Sequence, residues 1–197
     1  KYKPDTIFNG WELLPAGMVL IIDTVGIVEA IVPEAEAGDN IELLDGMLSP
    51  GFVNAHCHIE LSHMKGVIPQ HTGLVEFVQQ VLAKRETPAN KSLSGEAYEQ
   101  FLYYKLAAMK LATDELFESG TVAIGDICNT GDSISIKQNS PIYWHNFIEV
   151  SGFADAVAEK RLKGGEDLLL SFNHGYRPFG NTLAPHASYS VSKKLFE

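Results

Sequence analysis

The spacing of apolar residues changes character near residue 49. Before it, apolar positions fall in short β-rich runs, "MVLIID" and "GIVEAIV", separated by the turn signal "TVG" in the manner of a hairpin. "EAEAGDN" reads as a polar loop, and "IELLDGML" leads on from it. No helix of useful length is expected here, so residues 1–48 read as a small β unit. After Ser49, short apolar runs alternate with longer segments of helical period. "GFVNA" is short and mostly apolar, as expected of a strand buried on both faces. Residues 60–72 read as an irregular polar loop. Leu74, Phe77, Val78, Val81 and Leu82 then recur at helical spacing.

The alternation continues to the end of the chain. A longer helix is expected over residues 94–118, with Ser94 and Ala97 near its cap and Gly120 marking its end. "TVAIGDI" is a buried strand, and Asp132 or Ser133 caps a short helix. "PIYWHNFIEV" is a third strand. A helix over residues 153–163, stopped by a Gly-Gly pair, follows it. "NTLAPHASYS" is a fourth strand, and "SKKLFE" starts a helix. The strands begin near residues 51, 121, 142 and 181. Strands alternating with helices predict an α/β fold with a parallel sheet. Four strand–helix units fit half of an eight-stranded barrel or an open doubly wound sheet. No Gly-rich phosphate loop follows any strand, which weakens nucleotide-binding versions of the open sheet.

Charge and composition narrow the partners. Of 197 residues, 45% are hydrophobic and 20% charged, an ordinary globular balance. Fifteen basic residues against 25 acidic ones give a net charge of −10, which disfavours nucleic acid. Cys57 and Cys128 are too few for a disulfide framework, which fits a reducing compartment and a cytoplasmic location. The apolar stretch 18–32 contains Asp23 and Glu29 and is too short for a membrane span. It also lacks a basic start and a small-residue cleavage pattern. The chain begins with Lys1, so preceding sequence is expected.

The candidate chemistry concentrates in "LSPGFVNAHCHIELSH", residues 48–63, which holds three of the seven histidines. On a strand, His56 and His58 point to one face and Cys57 to the other. Both histidines close the apolar run, and in a parallel barrel the C-terminal end of a strand carries the active site. Two imidazoles on one strand face can bind one metal ion, while Cys57 packs behind as a small hydrophobe. A polar surface pair is the alternative reading.

These residues carry a family resemblance. "SPGFVNAHCHIELS" resembles the first barrel strand of the amidohydrolase superfamily, "SGTVAIGDI" its second strand, and "LAPHASYSVS" its fourth. The likeness is to the chlorohydrolase/aminohydrolase branch, which includes guanine, adenosine-derivative and aminofutalosine deaminases. "HCHIELSHMKG" leans toward the aminofutalosine members. The resemblance implies that residues 1–48 are the N-terminal part of a small β-sandwich. It likewise implies that residues 49–197 are the first half of a TIM-type (β/α)8 metal-dependent hydrolase barrel. It implies one divalent ion, zinc or iron, held by His56 and His58, with His186 contacting substrate. Binuclear members carry a bridging lysine on the fourth strand; residues 181–190 contain none, which favours a single metal. The remaining ligands and the general acid/base belong to later strands in that family. The chain therefore reads as the N-terminal half of a longer enzyme, inactive alone.

Several other residues have two readings. Glu60 is a substrate contact or a solvated loop carboxylate. Glu149, near the end of the third strand, is a substrate contact or a structural acceptor, whereas Asp126 reads as structural. His63 and His71 read as loop residues, and His145 and His174 as structural. Trp11, Trp144, Tyr103 and Tyr104 read as packing residues. The resulting expectation is a hydrolase of C–N bonds that releases ammonia from a small amino-substituted heterocycle, with no nucleic-acid or membrane partner and homo-oligomerisation open. The same centre could displace chloride or open a cyclic amide. A noncatalytic partial-barrel scaffold is the rival from another class.

Overall fold

A computed structural model of the chain describes residues 1–85, 95–174, 180–185 and 187–197. The chain divides into two compact units, Lys1–Gly51 and Phe52–Glu197. The first is built on one mixed sheet. Strands β1 (Tyr2–Ile7), β2 (Met18–Ile22), β3 (Val28–Pro33) and β4 (Glu42–Leu48) lie in the order β3-β2-β1-β4. β2 and β3 form the antiparallel hairpin around the "TVG" turn, and β1 runs parallel to β4. Asp23 Oδ1 closes that turn by accepting the Val25 and Ile27 amides at 2.9 and 2.8 Å. "EAEA" is not loop: Glu34–Ala37 forms a single helical turn, α1, which buries Ala37. Trp11, expected to pack, is 93% exposed in the loop after β1.

The second unit is α/β. Strands β5 (Phe52–Cys57), β6 (Thr121–Cys128), β7 (Tyr143–Val150) and β8 (Gly180–Pro185) form a parallel sheet in the order β5-β6-β7-β8. Sequential order is consistent with a barrel segment, whereas a whole doubly wound sheet reverses its order at a switch point. Phe52 pairs with Thr121, Ala123 with Tyr143, and His145 with Gly180. Between the strands lie helices α2 (Leu74–Lys84), α3 (Glu96–Glu118), α4 (Ile134–Gln138) and α5 (Ala158–Asn173), and α6 (Lys193–Phe196) follows β8. The expected start of α3 at Ser94 lies outside the described residues; its end at Gly120 takes φ +89°, a left-handed stop suited to glycine. Tyr103 and Tyr104, expected to pack, are largely exposed on α3.

The core lies on one face of this sheet. Ile59, Ile124, Ile142 and Trp144 form one cluster against Ala112 and Leu116 of α3. Cys128, Ile148 and Phe172 form a second against Leu168 and Leu169 of α5. β7 alternates strictly, with Trp144, Asn146, Ile148 and Val150 all buried toward the helices. β5 is not buried on both faces: Phe52 is 60% and Val53 69% exposed, because β5 is an edge strand paired only with β6 among the described residues.

The Gly-Gly pair does not stop a helix. The segment after β7 begins with a 3-10 turn at Asp155–Val157, and α5 runs through Gly164 and Gly165 to Asn173. A Cβ on Gly165 would lie 2.5 Å from Val150 Cγ1 and 3.1 Å from Leu183 Cδ2. The glycine lets α5 approach β7 and β8 closely, and that packing outweighs its poor helix propensity.

Candidate active site

The register of β5 against β6 orients the motif. Cys57 pairs with Asp126 and therefore shares the helix-packed face, where it touches the Ile59–Trp144 cluster. Burial, reinforced by Asp126, pushes its thiol up to about 12. Alternation puts His56 on the other face, exposed. His58 follows the strand and leads into a 3-10 turn, Ile59–Met64, where the sequence suggested irregular loop. The two imidazole centroids are 5.2 Å apart with planes at 64°. Rings this close, on one strand end, fit a shared ion bound through nitrogen at roughly 2.0–2.1 Å. Among the described residues no group of three or more His, Cys, Asp or Glu could hold a metal, so they contain no full ligand set.

Glu60 is not a solvated carboxylate, being 2% exposed. Its Oε2 accepts the Asn129 amide at 3.0 Å, the Thr130 amide at 2.9 Å and Thr130 Oγ1 at 3.1 Å. Its Oε1 is buried with no hydrogen-bond partner among the described residues. Burial raises its pKa above the usual carboxylate value, and the two backbone donors offset part of that. Glu149 lies on β7, on the face opposite Ile148, and accepts Asn129 Nδ2 at 2.9 Å. Asn129 thus ties the turn after β5 to the end of β7. Sequence reasoning missed it, although its place just beyond β6 was the signal that picked out the other candidates.

The remaining candidates separate. His186 lies outside the described residues, directly after the end of β8 at Pro185. His63 is buried rather than a loop residue: its Nε2 lies 3.1 Å from the Arg85 carbonyl and its ring meets Phe101 edge-on. His145 stacks on Phe147 with centroids 4.6 Å apart, and its Nε2 is 3.3 Å from Thr182 Oγ1. Asp126 is fully buried and structural, in an ion pair with Lys137. A cavity of about 650 Å³ opens beside His58, lined by Leu61, Met64, Phe77, Tyr104 and Leu111. Its lining is largely apolar, which suits an uncharged group. No described helix is long and apolar enough to cross a membrane.

No family model matches the chain. It is 28% identical over 98% of its length to a 5'-deoxyadenosine deaminase of Methanococcus maripaludis. It is also 28% identical, over 95% of its length, to an aminodeoxyfutalosine deaminase of Nitratiruptor sp.. The chain spans less than half the length of the curated relatives it matches, 44% and 43% respectively. In fold it resembles Helicobacter pylori aminofutalosine deaminase, solved with methylthio-coformycin, at TM-score 0.74 and 19% identity. That match covers 99% of this chain and 46% of the other. It also resembles an atrazine chlorohydrolase from Arthrobacter aurescens complexed with zinc, at TM-score 0.60 and 17% identity, over 98% of this chain and 47% of that one. The chain is therefore similar in sequence to proteins named as deaminases of 5'-deoxyadenosine and of aminodeoxyfutalosine.

Proposed function

We propose that the chain is the N-terminal half of a metal-dependent hydrolase that removes ammonia from an amino-substituted heterocycle of the adenosine-derivative class. The observation that carries this reading is the His56–His58 pair at the C-terminal end of the first of four parallel strands in sequential order. In this reading β5 to β8 are the first half of a TIM-type barrel, and the N-terminal sheet belongs to a small β-sandwich. The two free cysteines are consistent with the cytoplasm.

His56 and His58 would hold one zinc or iron ion through ring nitrogens. When bound, the ion supplies Lewis acidity near neutral pH. The chain's own residues bind and orient. Glu60 presents Oε1 as a buried acceptor for a substrate donor, with Oε2 fixed by Asn129 and Thr130. Glu149, steadied by Asn129, is a second contact. His186, next after β8, orients the ring from the fourth strand. Candidate substrates are those in the relatives' names, 5'-deoxyadenosine and aminodeoxyfutalosine, together with aminated purines.

The test is metal analysis and ammonia release on the intact protein. One ion per chain is expected, falling well below stoichiometric in His56→Ala and in His58→Ala. Unchanged metal in both variants overturns the reading. His186→Ala is expected to keep the ion while kcat/KM falls at least about tenfold, or ~1.4 kcal/mol.

A further inference from the structure

Lys137, on α4, has no exposure at all, and a buried ammonium needs full compensation. Its Nζ lies 2.5 Å from Asp126 Oδ2, 2.6 Å from Asn146 Oδ1 and 3.2 Å from Cys128 Sγ. The rings of Trp144 and Phe172 each stand 5.1 Å away. The polar contacts continue: Asn146 Nδ2 donates to Asn181 Oδ1, and Asn181 Nδ2 to Asn173 Oδ1, both at 2.8 Å. Cys57, Asp126, Asn146 and Asn181 are register partners, so this row crosses all four strands on the helix-packed face.

The row ends beside the candidate metal pair. Asp126 Oδ1 accepts the Ile59 amide at 2.8 Å, a buried bond across 67 residues of sequence. Ile59 sits between His58 and Glu60, at the point where β5 gives way to the 3-10 turn. The amide direction fixes the peptide plane joining His58 to Ile59, and hence where both neighbouring side chains start.

We propose that Asp126, held by Lys137, is a positioning residue for His58 and Glu60, acting through the Ile59 amide. The inference rests on the metal-site reading above. Outer groups that orient a ligand typically change metal affinity ten- to a hundredfold when removed. The bond is to backbone, so what Ile59 needs is an acceptor oxygen rather than a charge. The charge on Asp126 is matched to Lys137.

Two double variants of the intact protein separate these parts. Asp126→Asn with Lys137→Met removes both charges and keeps an acceptor for Ile59. Asp126→Leu with Lys137→Met removes both charges and the acceptor; apolar replacement of a buried ion pair is commonly tolerated. Both lose the Asn146 contact equally, so their difference isolates the Ile59 acceptor. Two measurements are made: amide hydrogen exchange at Ile59 in metal-free protein, and zinc affinity by chelator competition. The Asn-containing variant is expected to hold Ile59 protection and zinc affinity near wild type. The Leu-containing variant is expected to lose Ile59 protection and to bind zinc at least about tenfold more weakly while melting cooperatively. Equal zinc affinity and equal Ile59 protection in the two folded variants would overturn the proposal and leave the pair as a register lock. Failure of the wild type to bind zinc would instead overturn the metal-site reading on which the proposal rests, and the proposal with it.

Discussion

Asn129 donates its side-chain amide to Glu149 Oε2 at 2.9 Å while its backbone amide serves Glu60 at 3.0 Å. One residue thus couples the two carboxylates proposed to meet substrate, through separable bonds. Asn129→Ala removes the first and keeps the second. The expected result is a KM raised several-fold with metal content unchanged, and a stability loss of about 1 kcal/mol. Steady-state ammonia release and urea unfolding of the intact protein check both; wild-type KM would make the contact to Glu149 purely structural.

The two adjacent glycines of α5 should respond oppositely. A Cβ on Gly165 meets Val150 and Leu183, whereas one on Gly164 meets nothing within 4 Å. Gly165→Ala should cost about 1–3 kcal/mol through overpacking. Gly164→Ala should gain about 0.5–1 kcal/mol from helix propensity. Chemical denaturation of the two variants side by side would refute the packing account if both moved in the same direction.

Cys57 packs on the Ile59, Ile124, Ile142 and Trp144 cluster, away from His56. Cys57→Ser should keep the full metal content and turnover of the intact protein, at a stability cost of about 1 kcal/mol, because the hydroxyl packs less well on the apolar cluster but keeps Asp126 beside it as an acceptor. Metal loss in a folded Cys57→Ser protein would mean that the histidine face has been assigned the wrong way round.

Cys128 links stability to alkaline pH. Burial first, and Asp126 after it, raise its thiol above the ordinary 9.0, with Lys137 opposing. The folded state keeps the proton after the unfolded thiol has released it. This contribution is complete below pH 9 and is lost as pH rises above 9 toward the folded value, with a slope of at most about 1.4 kcal/mol per pH unit. Unfolding free energies between pH 8 and 10.5 should fall less steeply in Cys128→Ala than in wild type.

Local patterning placed the starts of the four parallel strands within about one residue, because short apolar runs bounded by turns carry that signal directly; the fourth strand, expected to run on through "HASYS", ends at Pro185, and Ser188–Ser190 is a 3-10 turn. Three features lay beyond it. The Gly-Gly pair reads as a stop by propensity, yet Gly165 is required where α5 meets Val150, a contact between elements distant in sequence. Lys137 carries no local mark of burial in the sequence; its partners Asp126 and Asn146 come from two different strands. Glu60 was named as a candidate, but its burial depends on backbone donors 69 and 70 residues away. The closeness of the His56 and His58 rings was legible because both residues fall within one three-residue stretch at a strand end.

The register also bears on the order in which the sheet assembles. Ala123 finds Tyr143 20 residues on, and His145 finds Gly180 35 on, but Phe52 must wait for Thr121, 69 residues away. Chain-closure entropy grows as the logarithm of that separation, so joining β5 costs about 1 kcal/mol more than joining β6 to β7. Folding therefore favours a β6–β7 nucleus first. On this entropy alone β5, which carries His56 and leads into His58, pairs after β6 and β7, with a sheet whose polar row already offers Asp126 to the Ile59 amide.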